Sequence, residues 1–201
     1  MRRTIYLAII LSQLIFFSCL PLFKQLFSYL HPVVTIVLWV CVTSFVFFIL
    51  LLLRKQSVIL PRFILNLFLL VYSICLLILL FFRPGGQVYD NWNLTPFSTI
   101  GFYLSGNVSF LIAFYNLAAN IGLFIPFGLA LMVTIKSRIM RFVIPLLSIS
   151  AIELLQFITR RGSLDLDDLI LNLIGVYIGY VLTPVFLRVV TIRSKQKKRT
   201  S

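Results

Sequence analysis

V-V-T-I-V-L-W-V-C-V-T-S-F-V-F-F-I-L-L-L-L, residues 33–53, carries no charged side chain. A helix of roughly 20 apolar residues crosses the hydrocarbon of a bilayer, so this run reads as one membrane span. Comparable apolar segments flank it at about 5–23, 63–82, 109–135, 142–158 and 169–190. Across all 201 residues, 61% are hydrophobic and 11% charged. A soluble domain has about 45–50% apolar and about 25% charged residues. This balance excludes a soluble domain, a disordered chain and a secreted disulfide scaffold. The expected fold is all-α: a polytopic membrane helical bundle of about six transmembrane helices. Residues 1–201 form a single membrane domain, ending in a basic cytoplasmic tail at 192–201.

Charge orients the spans. With the N-terminus inside, the inner loops and tail carry 14 of the 18 basic residues: Arg2, Arg3, Arg54, Lys55, Arg62, Lys136, Arg138, Arg141, Arg188, Arg193, Lys195, Lys197, Lys198 and Arg199. Lys24, Arg83, Arg160 and Arg161 fall outside. Lys and Arg are retained on the cytoplasmic side, so both termini are expected there. The formal charge of +13 is read as topology and contact with anionic lipid, not as a nucleic-acid surface. The first segment is expected to be an uncleaved span, because no small-x-small cleavage site follows it. Cys19, Cys41 and Cys75 lie in apolar runs and offer no disulfide pattern. Phe16-Phe17-Ser18 ahead of Cys19 argues against lipidation.

Polar residues concentrate in the later segments. Residues 148–175 read S-I-S-A-I-E-L-L-Q-F-I-T-R-R-G-S-L-D-L-D-D-L-I-L-N-L-I-G. Glu153, Gln156 and Arg160 share one helical face, as do Asp168, Asn172, Gly175 and Gly179. An ionisable residue within a span normally faces protein or a wet cavity. Asp165 is the preferred cap for the last span, since a carboxylate there accepts from free backbone N–H groups. Asp168 is expected to face the bundle. Asn116 and Asn120 share a face of the fourth segment, and Gly122 and Gly128 there are expected to admit a neighbour. Pro126 can kink that helix.

The candidate polar pocket comprises Asn120, Glu153, Gln156, Arg160, Arg161, Asp165, Asp168 and Asn172, at the outer ends of the spans. Glu153 and Asp168 are possible acids or bases, an arginine can hold phosphate or carboxylate, and the amides can orient sugar or peptide groups. A structural ion network and a ligand pocket remain alternatives. Residues 83–100 (R-P-G-G-Q-V-Y-D-N-W-N-L-T-P-F-S-T-I) form an outer loop, either interfacial or roofing a cavity; Asn93, Pro96 and Phe97 are its candidates. His31 is expected to be interfacial. No metal and no cofactor is expected: zinc-pair and nucleophile-elbow motifs are missing. The inner halves of the spans offer almost no polar residues to line a transport route.

Asn93-Leu94-Thr95-Pro96-Phe97, then Asn120-Ile121-Gly122-Leu123-Phe124-Ile125-Pro126-Phe127-Gly128, then Ser150-Ala151-Ile152-Glu153-Leu154-Leu155-Gln156 are followed by Arg161, Asp165, Asp168, Asn172, Gly175 and Gly179. In order and spacing this set resembles the VanZ-like family of bacterial membrane proteins. The motifs run from Asn93 to Tyr180, within a core placed at 83–191. The resemblance implies a multi-pass protein of the bacterial cytoplasmic membrane and a place in the cell envelope. It also implies a link to antibiotic resistance: the family's founding protein lowers sensitivity to teicoplanin, a lipid-bearing glycopeptide. It assigns no catalytic residue. The expected partners are membrane lipids, with a lipid-linked envelope precursor or a lipoglycopeptide as ligand. The other two readings are an enzyme modifying a lipid-linked phosphate or sugar, and a structural partner in a wall-synthesis complex.

Overall fold

The computed structural model describes residues 1–26, 33–81 and 92–193. The architecture is all-α. Its helices are α1 (Arg2–Leu26), α2 (Val33–Leu53), α3 (Arg62–Phe81), the short α4 (Ser98–Leu104), α5 (Phe110–Thr134), α6 (Arg138–Ile158) and α7 (Leu166–Val189). Among the described residues, five stretches are helical, long and apolar enough to cross a membrane: Arg2–Phe23, Arg62–Phe81, Phe110–Thr134, Arg138–Ile158 and Leu166–Val189. In α2, Leu38–Leu53 forms a shorter apolar helix. The apolar segments coincide with these helices to within a few residues. Four short strands were not foreseen: β1 (Val58–Pro61), β2 (Trp92–Asn93), β3 (Leu164–Asp165) and β4 (Val190–Arg193).

The described residues form two compact units, one drawing on Met1–Cys75 and the chain from Pro184, the other essentially on residues 76–183. In the first, α1 packs along α2. Thr4, Ala8 and Ser12, spaced by four, form a fully buried stripe on α1. Small residues let transmembrane helices approach closely, where dispersion and hydrogen bonds hold them. The Trp39 indole N–H donates to Gln13 Oε1 at 2.8 Å, and Arg54 Nη1 donates to Thr4 Oγ1 at 3.1 Å. Parallel pairing of β1 with β4 sets Val58 beside Val190 and Pro61 beside Arg193. Leu51, Val189 and Val190 make the local core, with Phe48 stacked on Phe186.

The second unit bundles α5, α6 and the greater part of α7 around Leu76, Phe124, Ile149 and Val176. The α5–α6 turn is tied by Arg141, which donates to the carbonyls of Ile135 (2.7 Å) and Met132 (3.2 Å) at the end of α5. Those carbonyls lack helical partners of their own. The Tyr180 hydroxyl donates to the Arg141 carbonyl, which joins α7 to the same turn. α5 continues through Pro126.

Glycines set how closely α5 and α7 approach. A Cβ at Gly175 would stand 2.1 Å from the Ile121 carbonyl oxygen, one at Gly128 2.1 Å from that of Val176, and one at Gly179 2.4 Å from that of Ile125. The backbones therefore touch, and only glycine fits. Gly122 departs from expectation: nothing lies within 4 Å of its Cβ position. Its helical face points away from the α5–α7 seam that Gly128 occupies.

Candidate functional site

α6 ends in a tight reversal that starts the site. Arg161 N donates to Gln156 O at 2.8 Å and Arg160 N to Phe157 O at 3.0 Å, the bonding pattern that closes a helix with a left-handed residue. That residue is Arg160, at φ 55°, where glycine is the usual choice. Gly162 follows, packed on the Gln156 side chain. The chain then enters β3, whose Asp165 pairs in register with Asn93 of β2.

Asp165 caps α7: its Oδ1 accepts from Asp167 N at 2.9 Å, and its Oδ2 accepts from the Thr99 hydroxyl at 2.6 Å. Asp167, with none of its surface exposed, caps a different helix. Its carboxylate accepts from the backbone N–H groups of Phe97 (2.6 Å), Thr99 (2.8 Å) and Ile100 (3.0 Å). The orphan donors at the start of α4 are thus satisfied by a side chain 67 to 70 positions further along the chain. Phe97, at φ 63°, exposes its ring. A bulky residue there is a conformational outlier, held by the Asp167 bond to its amide. Asn93 donates from Nδ2 to the hydroxyls of Ser98 and of Thr99, the latter at 3.0 Å, and its Oδ1 accepts from Thr95 N at 3.2 Å. Pro96 sits exposed in this turn. The loop from Asn93 is therefore latched to the head of α7.

Deeper in the helices the polar residues divide among three contacts. Asn120 Nδ2 on α5 donates to Asp168 Oδ1 on α7 at 2.5 Å. Asn172, one turn further along α7, donates from Nδ2 to Glu153 Oε1 on α6 at 3.3 Å. Glu153 and Asn172 are both buried, at 6% and 4% exposure. Gln156, also buried, donates to the Leu80 carbonyl in the last turn of α3 at 3.1 Å. Arg160 and Arg161 are exposed at the end of α6. Asn116 bonds back to the Ile112 carbonyl of its own helix at 2.8 Å.

One atom is left open. Asn172 Oδ1 is buried and has no hydrogen-bond partner among the described residues. Its amide orientation follows from chemistry, because the NH2 group and not the carbonyl can donate to a carboxylate. A ligand O–H or N–H group would complete it. No cluster of three or more His, Cys, Asp or Glu able to hold a metal occurs among the described residues.

Sequence reasoning read Asp167 only as a possible cap of the last span, left it out of the candidate pocket, and did not single out Thr99. Three of the five acids crowd into Asp165-Leu166-Asp167-Asp168 at one loop-to-helix boundary, more than the cap of α7 needs, and that excess was the available signal. His31, Pro84-Gly85-Gly86, Tyr89, Asp90 and the tail lysines Lys195, Lys197 and Lys198 lie outside the described residues.

The profile of the VanZ/LLP1 family matches residues 67–187, which adds much of α3 to the stretch that carries the motifs. Protein VanZ of Enterococcus faecium is 34% identical over 92 residues, covering 45% of this chain and 50% of that protein. The aligned segment thus spans about half the length of this relative. No solved structure matches the chain.

Proposed function

The chain belongs to the VanZ/LLP1 family, and we propose that it is a cell-envelope protein whose outer polar cluster binds the head of a membrane-anchored amphiphile, lowering sensitivity to teicoplanin. The observation that carries this reading is the open Asn172 Oδ1 beside buried Glu153. An unsatisfied polar atom within a span costs several kcal/mol, and a donor from a sugar or peptide head would remove that penalty. One turn before Asn172 on α7, Asp168 pairs with Asn120 of α5. The exposed arginines at the end of α6 suit an anionic group on the same ligand. The resemblance to Protein VanZ of Enterococcus faecium supports placing that ligand in the envelope.

In this reading the protein lies in the bacterial cytoplasmic membrane as six spans with both termini inside. The excess of basic residues on the inner loops supports the orientation. With Cys19, Cys41 and Cys75 replaced by alanine, an impermeant maleimide should label Thr95→Cys in intact cells and Ser57→Cys only after lysis.

The function is tested in a susceptible Gram-positive host expressing the chain or its Glu153→Gln/Asp168→Asn form at matched membrane levels. The intact chain should raise the inhibitory concentration of teicoplanin more than that of vancomycin, and the double variant should not. Full protection by the double variant would sink the proposal.

A further inference from the structure

The first unit holds a crevice that shares no residue with the outer polar cluster. Its volume is about 460 Å³, and it is lined by Leu51, Leu52, Lys55, Val185, Arg188 and Val189. That lies within the roughly 300–1,000 Å³ typical of small-molecule sites. We propose that this crevice binds an anionic glycerophospholipid, with its phosphate on Lys55 and Arg188 and an acyl chain along the leucine and valine wall.

Charge argues for an anion. The five acidic residues, Asp90, Glu153, Asp165, Asp167 and Asp168, all fall outside this unit. Its cations therefore have no side-chain carboxylate of their own unit to pair with. Arg54 is already engaged, donating to Thr4; Lys55 and Arg188 are the basic residues that border the crevice.

The backbone argues for a built position. α2 ends with Lys55 N donating to Leu52 O at 3.1 Å and Gln56 N to Leu51 O at 2.9 Å. Lys55 occupies the left-handed position at φ 51°, where glycine is favoured. A cation there also complements the helix dipole. The dipole does not explain why Arg188 from the last turn of α7 borders the same space. The buried core of Leu51, Val189 and Val190, together with the β1–β4 pairing, holds the two helix ends in place.

The lining selects a lipid over free phosphate. Four of the six lining side chains are Leu or Val, and an inorganic ion would gain nothing from them. Leu51 and Val189 are already buried, so the apolar area an acyl chain would bury is that of half-buried Leu52 and Val185. With the termini inside, the crevice serves the cytoplasmic leaflet, where anionic lipid attracts basic segments.

The test is native mass spectrometry of the full chain in a neutral detergent, with phosphatidylglycerol, phosphatidylcholine of the same acyl chains, or inorganic phosphate added. We expect at least tenfold greater retention of phosphatidylglycerol than of phosphatidylcholine, and no displacement by phosphate. Lys55→Gln/Arg188→Gln should abolish the preference. Lys55→Arg/Arg188→Lys should keep it, and so should Arg2→Gln/Arg3→Gln, which removes equal charge elsewhere in the unit. Equal retention of the two lipids, equal losses in the two Gln pairs, or displacement by phosphate would overturn the proposal.

Discussion

Replacing Asp167 with asparagine should loosen the start of α4 while leaving the middle of α6 unchanged. In the native protein one fully buried carboxylate accepts three backbone N–H groups, from Phe97, Thr99 and Ile100. Asparagine keeps one acceptor oxygen and places an NH2 group where the other stood. In the better amide orientation it loses the Phe97 bond, because Thr99 and Ile100 share Oδ2. A hydrogen bond to a charged group contributes about 1.5–3 kcal/mol, and one between neutral groups about 0.5–1.5 kcal/mol. One lost bond and two weakened ones together remove about 3.5–6 kcal/mol from the local opening free energy. At about 1.4 kcal/mol per factor of ten, amide exchange at these positions should accelerate at least about 100-fold. Hydrogen exchange read on peptides covering residues 95–104 measures it, with peptides within residues 142–156 as the reference. Acceleration below about threefold, or equal acceleration in α6, would refute Asp167 as the tertiary cap of α4.

Gly175→Ala should destabilise the protein by about 3 kcal/mol or more, at the upper end of overpacking costs because the clash is with backbone; Gly122→Ala, which meets open space, should be near neutral. Equal unfolding midpoints for the two variants would contradict the close α5–α7 contact. Glu153→Leu should cost about 1–3 kcal/mol by leaving a buried amide unpaired, and adding Asn172→Leu should recover most of that loss. A double-mutant cycle giving zero coupling would show that the pair does not interact. Gln156→Met should cost about 1 kcal/mol by freeing the Leu80 carbonyl, with faster exchange at the end of α3 as its readout.

Much of the candidate site was written locally. Glu153 and Gln156 fall on the buried face of α6 because helical periodicity puts residues three apart on one side. The role of Asp165 as a cap is set by its place just before the first turn of α7. The role of Asp167 was not legible. Its three donors lie on another element, and no local rule distinguishes an acid that caps its own helix from one that caps another. Asp168 and Asn172 were placed together as one polar stripe, yet they face different helices, because α5 and α6 flank α7 on different sides.

The sequence by itself determined the membrane character, the all-α class and the extents of the helices. α2 at Val33–Leu53 and α5 at Phe110–Thr134 follow from apolar run length, a property that sums over neighbouring residues. Tertiary structure alone decided which glycine mattered. Gly122 and Gly128 look equivalent along α5, but only Gly128 meets the backbone of α7. It also decided that β1 joins β4 and β2 joins β3, and that the Asn93 loop is held by α7. These outcomes depend on which distant segments meet, and contacts between residues far apart in the chain leave no periodic trace in either partner.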